Sequence, residues 1–220
     1  MSYSATRDRV ETYFDRSATK VWERLTSDAP VSRIRQTVRE GRDKMRALML
    51  GRLPADLTGL RVLDAGCGAG QMTAELAARG AAVVAVDISP ELVKIAASRL
   101  PAEHADRVTF AAGDMTADYG AFDYVLAMDS LIYYDTADIT QALARLGART
   151  SGAVVFTVAP KTPFLMTFWT LGKVFPQADR SPIMVPHALA TLQASTGGKV
   201  AKVGRVSRGF YISECLEYRA

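Results

Sequence analysis

Seven residues, Asp64-Ala65-Gly66-Cys67-Gly68-Ala69-Gly70, constrain this chain more than any other stretch. They stand between a short apolar run over 61–64 and a helical pattern through Met72, Leu76 and Ala77. Glycines at 66 and 68 let the backbone turn sharply and approach a ligand closely, because no Cβ intervenes. The dinucleotide-binding fingerprint spaces its glycines Gly-x-Gly-x-x-Gly and sets a pyrophosphate at the helix N-terminus. Here the spacing is Gly-x-Gly-x-Gly, with an acid two residues before the first glycine. A carboxylate there repels pyrophosphate and attracts an ammonium group. The loop predicts a ligand with a cationic end.

The surrounding pattern fixes the fold class. Apolar runs over 82–86, 108–111, 122–127 and 153–158 follow the first strand, with helical patterns between them at 90–100 and 138–146. Strands that are continuously apolar and alternate with helices predict a parallel sheet covered on both faces. The chain closes with 200–206, a turn at Ser207-Arg208-Gly209, and an alternating stretch through Phe210, Ile212, Leu216 and Tyr218. That ending predicts an antiparallel hairpin at the sheet edge. Two further helical patterns precede the sheet: one over 6–25 with Val10, Tyr13, Phe14, Val21, Trp22 and Leu25, and one through Ile34, Val38, Met45, Leu48 and Met49. The second carries Arg33, Arg35, Arg39, Arg42 and Arg46. The expected division is an N-terminal helical lid over 1–56 and a ligand-binding domain over 57–220. Residues 161–185 form a substrate-side insertion within it. A helix is expected to start near Pro186, with His187 at the surface.

Composition excludes several classes. Two cysteines, Cys67 and Cys215, with His104 and His187, are too few for a disulfide framework or a His/Cys metal cluster. No apolar run approaches the roughly 20 residues of a membrane span, and no signal-peptide pattern opens the chain, so a cytoplasmic protein is expected. The net charge of +4 is unevenly spread: +4 over 1–59, −5 over 60–160 and +5 over 161–220. Basic ends around an acidic middle suggest that the ends meet something anionic. Nucleic acid is not the expected partner. The basic residues are not interleaved with exposed aromatics, and no base-methylating Asn-Pro-Pro-Tyr motif follows the fourth strand.

Three acids fall at successive strand ends. Asp87 ends the second strand, 21 residues beyond Gly66, and is the expected acceptor for ribose hydroxyls. Gly113-Asp114-Met115 ends the third, where the carboxylate suits an adenine amine and Met115 the ring face. With Asp64, this ordered set resembles the class I S-adenosylmethionine (SAM) methyltransferases. The resemblance implies an α/β Rossmann-like sheet with SAM held by Arg39, Asp64, Gly66, Gly68, Asp87, Ile88, Asp114, Met115 and Met128.

A narrower resemblance rests on the less generic segments. Val10-x-x-Tyr13-Phe14, Trp22 and Val38-Arg39-x-Gly41 ahead of the loop, and Ser207-Arg208-Gly209-Phe210-Tyr211-Ile212-Ser213 behind it, resemble the magnesium-protoporphyrin IX O-methyltransferases. Residues 172–182 resemble their bacteriochlorophyll-pathway branch. What this implies is methyl transfer from SAM to a propionate of magnesium protoporphyrin IX in (bacterio)chlorophyll biosynthesis, part of photosynthesis. The magnesium would belong to the substrate, and no metal to the protein. Arg39 would clamp the SAM carboxylate. The porphyrin-binding subunit of magnesium chelatase and a peripheral contact with the photosynthetic membrane are the implied partners. Plant and cyanobacterial relatives carry a Tyr where Thr26 stands, and Ile-His-Tyr-Pro where this chain reads Ile132-Tyr133-Tyr134-Asp135. Tyr133 and Tyr134 are therefore the expected catalytic side chains. They would act as hydrogen-bonding groups, since a tyrosine does not titrate near neutral pH as histidine does. The alternative reading is a SAM-dependent methyltransferase of another small acid, phenol or amine. The apolar run over 164–175 is open to three readings: substrate wall, membrane contact or core.

Overall fold

The computed structural model describes residues 3–14, 32–163, 165–166 and 184–220. The expected helical positions Val21, Trp22 and Leu25, the departure at Thr26, and most of the apolar run over 164–175 lie outside these residues. Two helices open the described chain, α1 (Tyr3–Tyr13) and α2 (Arg33–Leu50). The α/β units follow as β1 (Arg61–Ala65), α3 (Gln71–Ala78), β2 (Ala82–Asp87), α4 (Pro90–Arg99), β3 (Val108–Ala112), β4 (Phe122–Ala127), α5 (Thr136–Gly147) and β5 (Thr150–Pro160). A two-residue β6 (Pro186–His187), α6 (Leu189–Ser195), β7 (Val200–Arg208) and β8 (Tyr211–Tyr218) complete it.

The strand order is β3-β2-β1-β4-β5-β8-β7. Pairings from β3 through β5 are parallel, while β8 runs antiparallel to both β5 and β7. The parallel sheet and the closing hairpin are as the pattern predicted. Alternation along each strand separates two cores. Leu63, Val84, Val125 and Phe156 face α5, where Ile139, Leu143 and Leu146 are buried. Val62, Val83, Leu126 and Val155 face α2 and α3, meeting Met45, Met49 and Leu76. Local chemistry starts the helices where they are needed. Ser89 caps α4 by accepting from Leu92 N, with Pro90 in its first turn, and Asp135 caps α5 by accepting from Asp138 N.

Two expectations change. The helix near Pro186 begins only at Leu189, because Pro186 and His187 are extended and pair with the end of β5. Lys161 N donates to His187 O, and His187 is buried rather than at the surface. The second change concerns α2, expected to be part of a lid over 1–56 separate from the main domain. It lies on β7 and β8 with Met45, Met49 and Leu50 fully buried, so it belongs to the core. Gly41 makes that approach possible: a Cβ there would stand 2.6 Å from the Tyr211 ring. We expect Met45→Ala to destabilise the chain by about 2–5 kcal/mol, as large-to-small core changes do. Urea unfolding checks this. A midpoint unchanged from the parent would mean that α2 is a detachable cover after all.

Candidate functional site

A cavity opens at the carboxyl edge of the parallel strands, where doubly wound sheets bind ligands. It takes in about 1020 Å³, counted out into the solvent at its mouth. The glycine loop forms its floor. Gly66 N and Cys67 N both donate to Val86 O, at 2.8 and 2.9 Å, tying the loop across to β2. Gly66 has φ 87°, and a Cβ on it would meet the Ser130 side chain at 2.4 Å, so only glycine fits. Cys67 packs in the loop, and burial together with Asp87 and Asp64 raises its thiol pKa well above the usual value.

The carboxylates sit in distinct environments. Asp64 is 1% exposed and accepts from Thr73 Oγ1 at 2.6 Å. Burial pushes its pKa up to about 7; the Thr73 hydrogen bond opposes this and Asp87 adds to it. Asp87 accepts from Gly68 N at 2.8 Å and Ser89 N at 2.9 Å, so it shapes the loop as well as facing the cavity. Asp114 accepts from Thr116 N, Thr116 Oγ1 and Tyr3 OH, each at 2.8 Å, with Arg7 at 3.5 Å. Burial alone would raise the Asp114 pKa, but these hydrogen bonds outweigh it and hold it below the usual carboxylate value. A fourth acid, Asp129, just past β4, also lines the cavity and pairs with Arg42.

The far wall is aromatic. Tyr133 and Tyr134 lie on the loop between β4 and α5, and α1 covers them. The Tyr3 ring stacks on Tyr134 at 4.9 Å, and Phe14 meets Tyr133 edge-on at 6.4 Å. Burial and the nearby Asp114 raise the Tyr134 pKa, so it stays a neutral hydroxyl. His187 braces this loop from behind: its Nε2 is 3.0 Å from Tyr134 O and its Nδ1 3.3 Å from Thr136 Oγ1. Burial lowers the His187 pKa. A ring neutral at pH 7 donates from one nitrogen and accepts at the other.

Comparison with known proteins decides the family. A family model described as Magnesium-protoporphyrin IX methyltransferase C-terminus matches residues 127–220, and one described as Methyltransferase domain matches 62–150. Magnesium-protoporphyrin O-methyltransferase from Rhodobacter capsulatus is 64% identical over 219 residues, covering 99% of this chain and 98% of that one. The chain belongs to the magnesium-protoporphyrin O-methyltransferases. Among solved structures, the Synechocystis magnesium protoporphyrin IX methyltransferase with bound SAH superposes with a TM-score of 0.81 at 28% identity. The superposition covers 97% of this chain and 100% of that one. The same Synechocystis protein with bound SAM gives 0.78 at 26% identity, covering 98% and 97%.

In this chain the cavity gathers nearly every residue singled out from the sequence. Asp64, Gly66, Gly68, Asp87, Ile88, Asp114, Met115, Met128, Tyr133 and Tyr134 all line it. Arg39 does not. The α2 arginines on the cavity wall are Arg42 and Arg46, the latter paired with Glu75 and Asp43. Helical spacing explains the difference. At about 100° per residue, Arg42 stands about 60° from the middle of the buried face that Gly41, Met45 and Met49 define, whereas Arg39 stands about 120° away. Asp129, Tyr3, Arg7 and Phe14 were not anticipated. Asp129 carried a usable signal, since it follows the fourth strand by two residues, near the edge where Asp87 ends the second. Tyr3 and Arg7 carried none, being 111 and 107 residues from Asp114 in the chain.

Asp64 gives a test that needs no ligand. Its folded-state pKa of about 7 lies above the ordinary 3.8. Between these values the folded chain holds a proton that the unfolded chain has lost, so this group makes stability fall as pH rises through that window. Asp64→Asn, neutral throughout, should gain about 1–3 kcal/mol on the parent between pH 5 and pH 8. Urea midpoints at the two pH values measure it. A difference that does not change with pH would mean that Asp64 is ionised at both.

Proposed function

We propose that this protein transfers the methyl group of SAM to one propionate carboxylate of magnesium protoporphyrin IX, giving the monomethyl ester on the route to (bacterio)chlorophyll. The observation that carries this reading is the 64% identity to the Rhodobacter capsulatus relative, which extends through the segments that build the cavity's far wall. SAM fits the residues present. A cationic ammonium suits buried Asp64, ribose hydroxyls suit Asp87, and an adenine amine suits Asp114, with Ile88, Met115 and Met128 as apolar neighbours. When bound, SAM supplies an electrophilic methyl on a sulfonium.

The chemistry asks little of the protein by way of proton transfer. A propionate resembles a Glu side chain, with a pKa of about 4.3, so the nucleophile is already ionised at neutral pH. The chain's work is to align carboxylate and methyl and to exclude water. Positioning of this kind can contribute about 7–11 kcal/mol. Tyr133 and Tyr134, both buried, orient the carboxylate through hydrogen bonds weak enough to leave it reactive. Their backbone is fixed by His187 and by Val185 N, which donates to Ile132 O at 2.8 Å. The lid is the part of α1 that lies over these rings, with Tyr3 and Arg7 resting on Asp114.

Among the described residues no helix is long and apolar enough to cross a membrane. The reading extends to a cytoplasmic protein making peripheral contact with the photosynthetic membrane or with the porphyrin-binding subunit of magnesium chelatase. Exposed Ile34 and Phe210, with Arg33, Arg35 and Arg208 beside them in sequence, support it.

Incubation with SAM and magnesium protoporphyrin IX should give a product heavier by one methylene, read by mass spectrometry. Folded, SAM-binding protein that forms no such product, but methylates a phenol or amine, would overturn the assignment. Asp87→Ala should weaken SAM binding roughly 10- to 150-fold, the range for a lost charge-assisted hydrogen bond, while the chain stays folded. Calorimetry giving unchanged SAM affinity would remove Asp87 from the ligand.

A further inference from the structure

Asp129 lines the cavity on the far side of β1 from Asp87 and Asp114. The strand order β3-β2-β1-β4 sets four acids in a row: Asp114 after β3, Asp87 at β2, Asp64 in β1 and Asp129 after β4. Adenine, ribose and ammonium account for the first three. The fourth lies across β1 from Asp87 and Asp114, on the β4 side of the sheet, and is left for the methyl acceptor.

The backbone of Asp129 is in the left-handed region, with φ 55°, the one non-glycine residue there among those described. Such conformations persist where the surroundings over-determine them, often at functional sites. Here Asp129 N donates to Thr157 Oγ1 of β5 at 2.7 Å, and Thr157 is fully buried. The carboxylate accepts from Arg42 Nη1 of α2 at 2.5 Å and from Tyr211 OH of β8 at 3.0 Å. Burial and Asp129 hold the proton on Tyr211. Three elements thus converge on one carboxylate, and what they aim into the cavity is the Arg42 side chain, 16% exposed.

An arginine already paired with a carboxylate presents a weakened charge. That suits an esterification. A free guanidinium would bind the substrate carboxylate in a tight bidentate pair and draw electron density from the attacking oxygen. A pre-paired one orients the carboxylate and leaves it nucleophilic. We propose that Arg42 receives a propionate carboxylate of the acceptor, and that Asp129 is a positioning residue that aims Arg42 and attenuates its charge. This rests on the acceptor assignment made above.

Asp129→Asn removes the attenuation and keeps the shape. Acceptor KM should fall about 3- to 10-fold while kcat falls about 10-fold, with SAM affinity unchanged, because a tighter ion pair stabilises the ground state. The double variant Asp129→Asn with Arg42→Gln leaves no buried charge unpaired. It should lose the preference for magnesium protoporphyrin over its dimethyl ester, read by fluorescence quenching without turnover. If SAM affinity changes in these variants and the preference does not, the guanidinium serves the cofactor's own carboxylate and the proposal is overturned. If Asp129→Asn lowers acceptor affinity and turnover together, Asp129 is only a brace and the proposal fails. A parent protein that prefers the acid to the diester, yet makes no ester, would overturn the functional reading alone.

Discussion

Four carboxylates crowded at one edge of a sheet are the constraint around which the rest is arranged. Carboxylates withdrawn from water need hydrogen bonds or opposite charge. Each of the four draws on a different part of the chain. Asp64 takes a hydroxyl from α3, Asp87 takes backbone N–H groups from the glycine loop and the start of α4, and Asp114 takes Tyr3 and Arg7 from α1. Asp129 takes Arg42 from α2 and Tyr211 from β8. Both N-terminal helices and the closing hairpin thus each meet one of these acids.

The deepest of the four is Asp64, 1% exposed. It draws its hydrogen bonds from Thr73, and burial favours its protonated form. A cationic ligand would favour the ionised form, so the energy withheld from the fold at this position becomes available for binding. Asp114 is the opposite case. Its hydrogen bonds already favour the carboxylate, and the α1 groups that supply two of them come from the element that covers the cavity.

Much of this was legible before any coordinates. The loop 64–70, the acids at 87 and 114, and the alternation of apolar runs lie close together in sequence, and local rules of strand, turn and helix decide them. What was not legible depends on which side of an element faces where. The helix holding Arg39 and Arg42 was plain, but its buried face is set by Tyr211, which needs Gly41 beneath it. His187 read as a surface residue because its partners, the Tyr134 carbonyl and the end of β5, come from distant stretches. The same holds for Tyr3 on Asp114.

The position of β8 has a consequence for how the molecule forms. This strand, from late in the chain, lies between β5 and β7, and its hairpin reaches back to α2 through Arg208 and Glu40, 168 residues apart. Contacts of such sequence separation require large loops to close, and they form late in folding. The side of the cavity that holds Asp64, Asp87 and Asp114 is built from β1, β2 and β3, which are neighbours in sequence, and can take shape early. The cavity wall formed by Arg42 of α2, Asp129 and Tyr211 is complete only once β8 has docked on the edge of β5. A nascent chain therefore completes the Asp64 and Asp87 side of its cavity before the Asp129 side, because the latter waits on contacts of long sequence separation.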